Sequence, residues 1–221
     1  MIEIKKGREP EKLLRYRQQA GASYEQMDKD VKDELLEKLL EEQGHICAYC
    51  MRRIPETRTL PDGVAPVTIE HRLPRNPGSG EVLGQGLDYR NMFAVCSGNR
   101  GCGNRKGMTC DARRGNQPIK VNPCDARTLY GITYTSAGRI QSSDPEIDED
   151  FNERLNLNSE SLSLPENRKQ VLQAMLEDIK KKHGAGDISL YCRRKLEKIR
   201  KTDDKKIPYV GILIWWLEKH I

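Results

Sequence analysis

Aromatic residues are scarce in this chain of 221 residues, which holds 8 Tyr, 2 Phe and 2 Trp. The hydrophobic set reaches only 36% against 32% charged residues, so the apolar core must be thin for the length. No apolar run approaches the ~18–20 residues of a membrane span. The opening MIEIKKGRE also lacks the apolar stretch of a secretory signal. These absences predict a soluble, cytoplasmic protein with no membrane contact. Internal repeats and low-complexity tracts are missing too, which excludes a solenoid and argues against disorder, since periodic Leu, Ile and Val segments remain. The length suits one large domain or two small ones.

What is present is charge and cysteine. The net charge is a modest +5, but residues 44–127 carry 13 Lys/Arg against 7 Asp/Glu, so a basic centre sits between nearly neutral flanks. Such a centre favours a polyanion. Seven cysteines, five of them from Cys47 to Cys110, read as metal ligands before disulfides in a reducing compartment.

Residues 11–19 and 30–43 read as helices. The second carries Val31, Leu35 and Leu39 on one face with Leu36 and Leu40 beside it, and Gly44 stands where a terminating glycine belongs. From residue 45 to 127 the composition shifts to Cys, Gly, Pro, Asn and Arg, with short apolar runs only, so a core there needs stapling by a metal. Residues 131–142 alternate around Ala137-Gly138 as a hairpin, the acidic stretch 144–150 reads as a linker, and helical segments follow around Leu155-Leu157, Val171-Met175-Ile179, Ile188-Tyr191-Leu196 and 210–217. The chain thus divides into an N-terminal helical segment (1–43), a cysteine-rich core (44–143) and a C-terminal helical region (144–221).

Within the core, CAYC places Cys47 and Cys50 at the spacing that aims both thiolates at one tetrahedral ion. A structural zinc needs two more ligands, and Cys96, Cys102 and Cys110 compete for the places. Between the halves lies VTIEHRLP, a β-branched run ending in Glu70 and His71. At a strand end, an acid can ligate a divalent cation while the adjacent histidine, on the opposite face of the pleat, serves as a general base. Further on come LDYRNMFAVC, with Asn91, and TCDARRGN, with Asp111 and Asn116.

The ordered series CxxC, EH, NxxxxC and CDxxRxN resembles the HNH endonuclease superfamily. CAYC, IEHRLP, LDYRNMFAVCSGN, TCDARRGN, NPCD and LNLN resemble in particular the HNH nuclease subunit of Septu-type and retron-associated anti-phage systems, over most of the chain from Ile2 to at least Arg168. The resemblance implies an α+β protein with a zinc-braced ββα-metal core flanked by N- and C-terminal helices. It implies zinc on Cys47, Cys50, Cys96 and Cys110, with Cys102 as the fallback fourth ligand. Phosphodiester hydrolysis would use His71 as base and Glu70 with Asp111, or Asn116 in its place, on Mg2+ or Mn2+; Asn91 would orient the imidazole or lock its loop. An ordinary imidazole predicts a rate that rises between about pH 6 and 8.

Arg72, Arg75, Arg113 and Arg114, with Arg105 and Lys106, flank these motifs as candidate phosphate ligands, and sparse aromatics leave recognition of nucleic acid, DNA foremost, to its backbone. The resemblance also implies an ATPase partner of the ABC or OLD-like kind. Trp215-Trp216 lie in the most hydrophobic segment, which suits either a buried helix or a docking surface. The rival reading is a zinc-stabilised nucleic-acid-binding or adaptor module without catalysis.

Overall fold

Leu35 and Leu39 have no exposed surface and Val31 little, and the helix they define, α2 (Lys29–Gln43), is the longest of the N-terminal part. It ends as the glycine predicts: Gly44 is left-handed (φ 63°) and the next amide, His45 N–H, donates to Leu40 O at 2.8 Å. The computed structural model describes residues 1–56, 59–75, 85–183, 187–201 and 204–221. The preceding helix, α1 (Glu11–Tyr16), stops short of residue 19, because its buried face is spent at Leu13 and Tyr16 and residues 17–21 are exposed.

A two-stranded antiparallel sheet carries the EH motif. Strand β1 (Val67–His71) pairs with β2 (Met92–Cys96), with Glu70 opposite Phe93 and His71 opposite Met92. Strand β2 is buried throughout. The side chain of Gln43 at the end of α2 completes its edge: Nε2 donates to Ala94 O at 2.7 Å and Oε1 accepts from Ala94 N–H at 2.9 Å. After β2, a loop leads to the short helix α3 (Cys110–Arg114), which packs against that strand. Gly98 permits the approach, since a Cβ there would lie 2.2 Å from Thr109 O.

Helix α4 (Ala126–Leu129) precedes the second hairpin, β3 (Ile132–Tyr134) and β4 (Ile140–Ser142), which forms where the alternation placed it. The acidic stretch is not a linker. Asp144 caps helix α5 (Pro145–Glu149) by accepting from Glu146 and Ile147 N–H, and a π-helical turn, Asp150–Arg154, continues it. Its acids are used as caps and in the first turn, where the helix dipole favours them. Asp150 is fully buried and accepts the amides of Lys120 and Val121 at 2.7 and 2.9 Å. Leu155 and Leu157 are also buried, but in a turn rather than a helix, as Asn156 holds the carbonyls of Lys106 and Met108, and Asn158 that of Ile140.

Three helices finish the chain: α6 (Leu164–His183), α7 (Ser189–Lys201) and α8 (Val210–Glu218). A single apolar core includes Met1, Leu39, Phe93, Val121, Phe151 and Ile212, and so runs through all three compositional segments. Backbone bonds tie them as well, Ile4 N–H to Pro123 O at 2.8 Å, Lys206 N–H to Gly44 O at 3.0 Å and Tyr209 N–H to Met51 O at 2.8 Å. The architecture is therefore mixed α+β with two small antiparallel sheets. Among the described residues no helix is long and apolar enough to cross a membrane.

Candidate metal centre and the His71 cleft

The CAYC turn is closed by a bridge between Ile46 and Arg53, with Met51 N–H donating to Cys47 O at 3.0 Å. This turns Cys47 and Cys50 toward Cys96, the last residue of β2, and Cys110, the first of α3. The four sulfurs lie within 4.8 Å of one another and all four residues are buried. Neighbouring pairs stand 3.7 to 3.9 Å apart. Met51 and Cys110 hold left-handed backbone, φ 62° and 54°, a cost that is accepted where the surroundings fix the chain. Cys102 lies outside the cluster: it is exposed and its thiol donates to Asn104 O at 3.2 Å.

Four buried thiols at this spacing can hold a structural metal such as zinc. Crowding couples their acidities. Burial opposes ionisation of Cys47, yet contacts with the sulfurs of Cys110, Cys50 and Cys96 hold it well below the ordinary thiol range. The same crowding by Cys47, Cys50 and Cys96 pushes Cys110 well up. One thiolate forms readily and a second is repelled, the imbalance that a divalent cation removes.

The cluster fastens the end of β2 to α3, and β1 lies alongside, so His71 and α3 come to face one cleft. Its volume is about 310 Å³, and its lining includes His71, Arg75, Arg100, Asp111 and Asn116. His71 is buried, and burial lowers its pKa from 6.5 to about 4. Its Nε2 stands 3.0 Å from Gly86 O, which keeps the ring proton on that nitrogen and leaves Nδ1 as the proton acceptor. Tyr24 meets the ring edge-on at a centroid distance of 4.5 Å. Asp111 pairs with Arg100 at 2.8 Å, and burial raises its pKa. Asn116 is exposed at the cleft edge.

Glu70 lies on the opposite face of the pleat, as the sequence predicts, and it too lines the cleft. The pleat turns it away from His71, and its carboxylate accepts from Arg114 Nη1 and, at 3.1 Å, from the Tyr49 hydroxyl. Both bonds fall on Oε1. Arg114 departs from expectation. A fully buried guanidinium cannot meet a phosphate on the surface; it donates to the carbonyls of His71 (3.2 Å), Arg72 (2.7 Å) and Gln117 (2.6 Å).

Asn91 belongs to the loop rather than to the cleft lining. Its Oδ1 accepts from Leu73 N–H at 2.7 Å and its Nδ2 donates to Leu73 O at 2.9 Å, fixing the chain just beyond His71. Arg75 reaches the cleft, ion-paired to Glu25 and lying 4.5 Å over the Tyr24 ring. Arg72 is half-buried and donates to Ile119 O at 3.3 Å. Arg113 faces a different hollow with Arg105 and Arg154, bonded to Glu153 O at 3.1 Å. Lys106 is exposed beside that loop.

Sequence reading passed over Tyr24, Tyr49, Gly86 and Arg100. Tyr49 carried a signal, being inside the CAYC turn; the other three reach the site only through the fold. No family model and no curated protein matches the chain.

Proposed function

We propose that the chain is a metal-dependent endonuclease of the HNH type, cleaving phosphodiester bonds in the His71 cleft. The observation that carries this reading is the convergence on one cleft of a buried, neutral histidine and an under-neutralised carboxylate, His71 at the end of β1 and Asp111 next to Cys110 of the four-cysteine cluster. Nδ1 of His71 accepts a proton from water, and the hydroxide attacks phosphorus. Gly86 O holds the imidazole in the tautomer the step requires. Arg75 and Arg100 offer positive charge to the phosphate on either side.

Asp111 and Asn116 would hold a divalent cation, and as hard oxygen donors they suit Mg2+ or Mn2+. The fit rests on Asp111, whose burial leaves its charge incompletely met by Arg100. When bound, the ion supplies charge stabilisation to the phosphorane and leaving oxygen. Glu70, held by Arg114, serves as a strand-positioning group in this reading. The zinc on Cys47, Cys50, Cys96 and Cys110 is structural.

The resemblance to Septu-type nucleases supports a wider setting, in which this nuclease is the effector of an anti-phage complex restrained by an ATPase. Backbone recognition alone confers little sequence selectivity, so control by another chain is physically reasonable. One observation favours the non-catalytic adaptor instead: Glu70, the acid of the EH motif, is ion-paired to the buried Arg114. A plasmid-nicking assay with Mg2+ or Mn2+ separates the two. The nuclease loses cleavage but keeps DNA binding in His71→Ala; an adaptor cleaves in neither form.

A further inference from the structure

The densest positive charge in the chain lies far along the sequence from the EH motif. Residues 180–206 hold 11 Lys/Arg against 4 Asp/Glu, a net +7 in a shorter span than the +6 of residues 44–127. Most of it is on α7, SLYCRRKLEKIRK, whose apolar side (Cys192 and Leu196) is buried in the core. Lys195 pairs with Asp178 at 3.5 Å and Arg200 with Glu218. Arg193, Arg194, Lys198 and Lys201 are exposed, with Glu197 the one acid among them. None of these lines the His71 cleft.

We infer that the outer face of α7 is a second nucleic-acid contact, gripping the phosphate backbone of a DNA duplex away from the cleft. Arg194, Lys198 and Lys201 follow one another at four and three residues, so they form a single stripe with steps of about 6 and 4.5 Å along the helix. That is one to two of the ~3.4 Å axial steps between phosphates on a strand. The chemistry favours this occupant over others. Protein interfaces are enriched in aromatics and depleted in Lys, and this face offers Lys198 and Lys201 with its one aromatic neighbour, Tyr191, half-buried and bonded to Asp178. Charge alone holds a helix to an anionic membrane by only about 1 kcal/mol per cation, and the apolar face of α7 that would insert is already buried. A repeating anion needs only spaced charge.

The inference stands apart from the assignment of His71, because binding and cleavage are read separately. The full chain carrying His71→Ala, so that the probe survives, is titrated against a fluorescein-labelled duplex of random sequence by anisotropy at several salt concentrations. Adding Arg193→Gln, Arg194→Gln and Lys201→Gln should weaken binding about tenfold or more and flatten the slope of log K against log salt by about 2 to 3. Gln keeps helix propensity, and circular dichroism should match the parent. Removing the same charge elsewhere, with Arg8→Gln, Lys29→Gln and Arg139→Gln, should change the slope by less than half as much. Equal effects from both triple variants would reduce the result to net charge and overturn the proposal. So would an unchanged slope in the α7 variant, which would leave this face to an acidic protein surface.

Discussion

Glu70 and Arg114 form an ion pair sealed in the protein, their side chains 7% and 1% exposed. Arg114 also holds the carbonyls of His71 and Arg72, so a single guanidinium ties helix α3 to the end of β1. Removing one partner of such a pair strands a buried charge, at a typical cost of about 3–5 kcal/mol. Arg114→Met should therefore lose that order of stability in urea melts. Adding Glu70→Gln should recover part of it, because the stranded charge is gone. Melts of Arg114→Met that overlay the wild type would show that the pair does not hold the strand end.

The metal centre gives the second prediction. Elemental analysis should find about one zinc per chain, and chelation should loosen the junction of β2 and α3, where all four ligands are buried. Cys47→Ser or Cys110→Ser should lower both zinc content and melting temperature, whereas Cys102→Ser should alter neither, since its thiol meets only Asn104 O and is exposed. Loss of zinc on Cys102→Ser with retention on Cys110→Ser would reverse the ligand assignment.

What could be read from the sequence follows the range of the forces involved. Helix α2 and its glycine stop, the 131–142 hairpin and the knuckle turn are local patterns and were legible. The pairing of Cys96 and Cys110 with the knuckle came from resemblance, as spacing alone left Cys102 in contention. Arg114 was misread because burial is a property of the fold: its partner Glu70 is 44 residues away, and nothing local distinguishes Arg114 from the half-buried Arg113 beside it. The acidic run 144–150 was mistaken for a linker for the opposite reason, since its charges are used locally, as caps. The basic face of α7 was hidden by averaging over flanks that contain acids elsewhere.

Catalysis supplies the third prediction. His71→Ala should reduce cleavage by about 10²–10⁴-fold, the usual contribution of a general base, while zinc content and fold persist. Asp111→Asn should reduce it comparably and raise the divalent-ion concentration needed for half-maximal rate, whereas Glu70→Gln should act through stability. If Glu70→Gln instead shifts the ion requirement and Asp111→Asn does not, the acid on β1 is the ligand after all.

The pH dependence follows from where His71 sits. Burial penalises the imidazolium, so the pKa falls from 6.5 to about 4, and the base is already deprotonated in mildly acidic solution. A base of this kind gives kcat/KM that is flat from about pH 6 upward and declines only as pH falls toward 4. The rise between about pH 6 and 8 that an ordinary imidazole predicts should be absent. A midpoint near pH 6.5 in initial rates at saturating Mg2+ would mean that the cleft is far wetter than the structure has it.

The C-terminal tryptophans distinguish packing from docking. Trp215 lies 6.0 Å from the Tyr134 ring with Lys219 at 4.5 Å over its own, so it belongs to the seam between α8 and β3. Trp216 is stacked on His220 at 3.7 Å and is half-buried. Full burial of a large aromatic is worth about 3–5 kcal/mol on truncation. Trp215→Ala, at a partly buried site, should therefore cost about 2 kcal/mol, and Trp216→Ala, which mainly loses one stacked ring, about 1 kcal/mol or less. That difference makes Trp216→Ala the useful probe of an ATPase partner, because its fold survives. If α8 is the docking helix, Trp216→Ala should still melt near the wild type yet recover less of the ATPase on co-purification. Undiminished recovery would remove α8 from consideration and direct attention to α2, where Leu36 and Leu40 remain only half-buried.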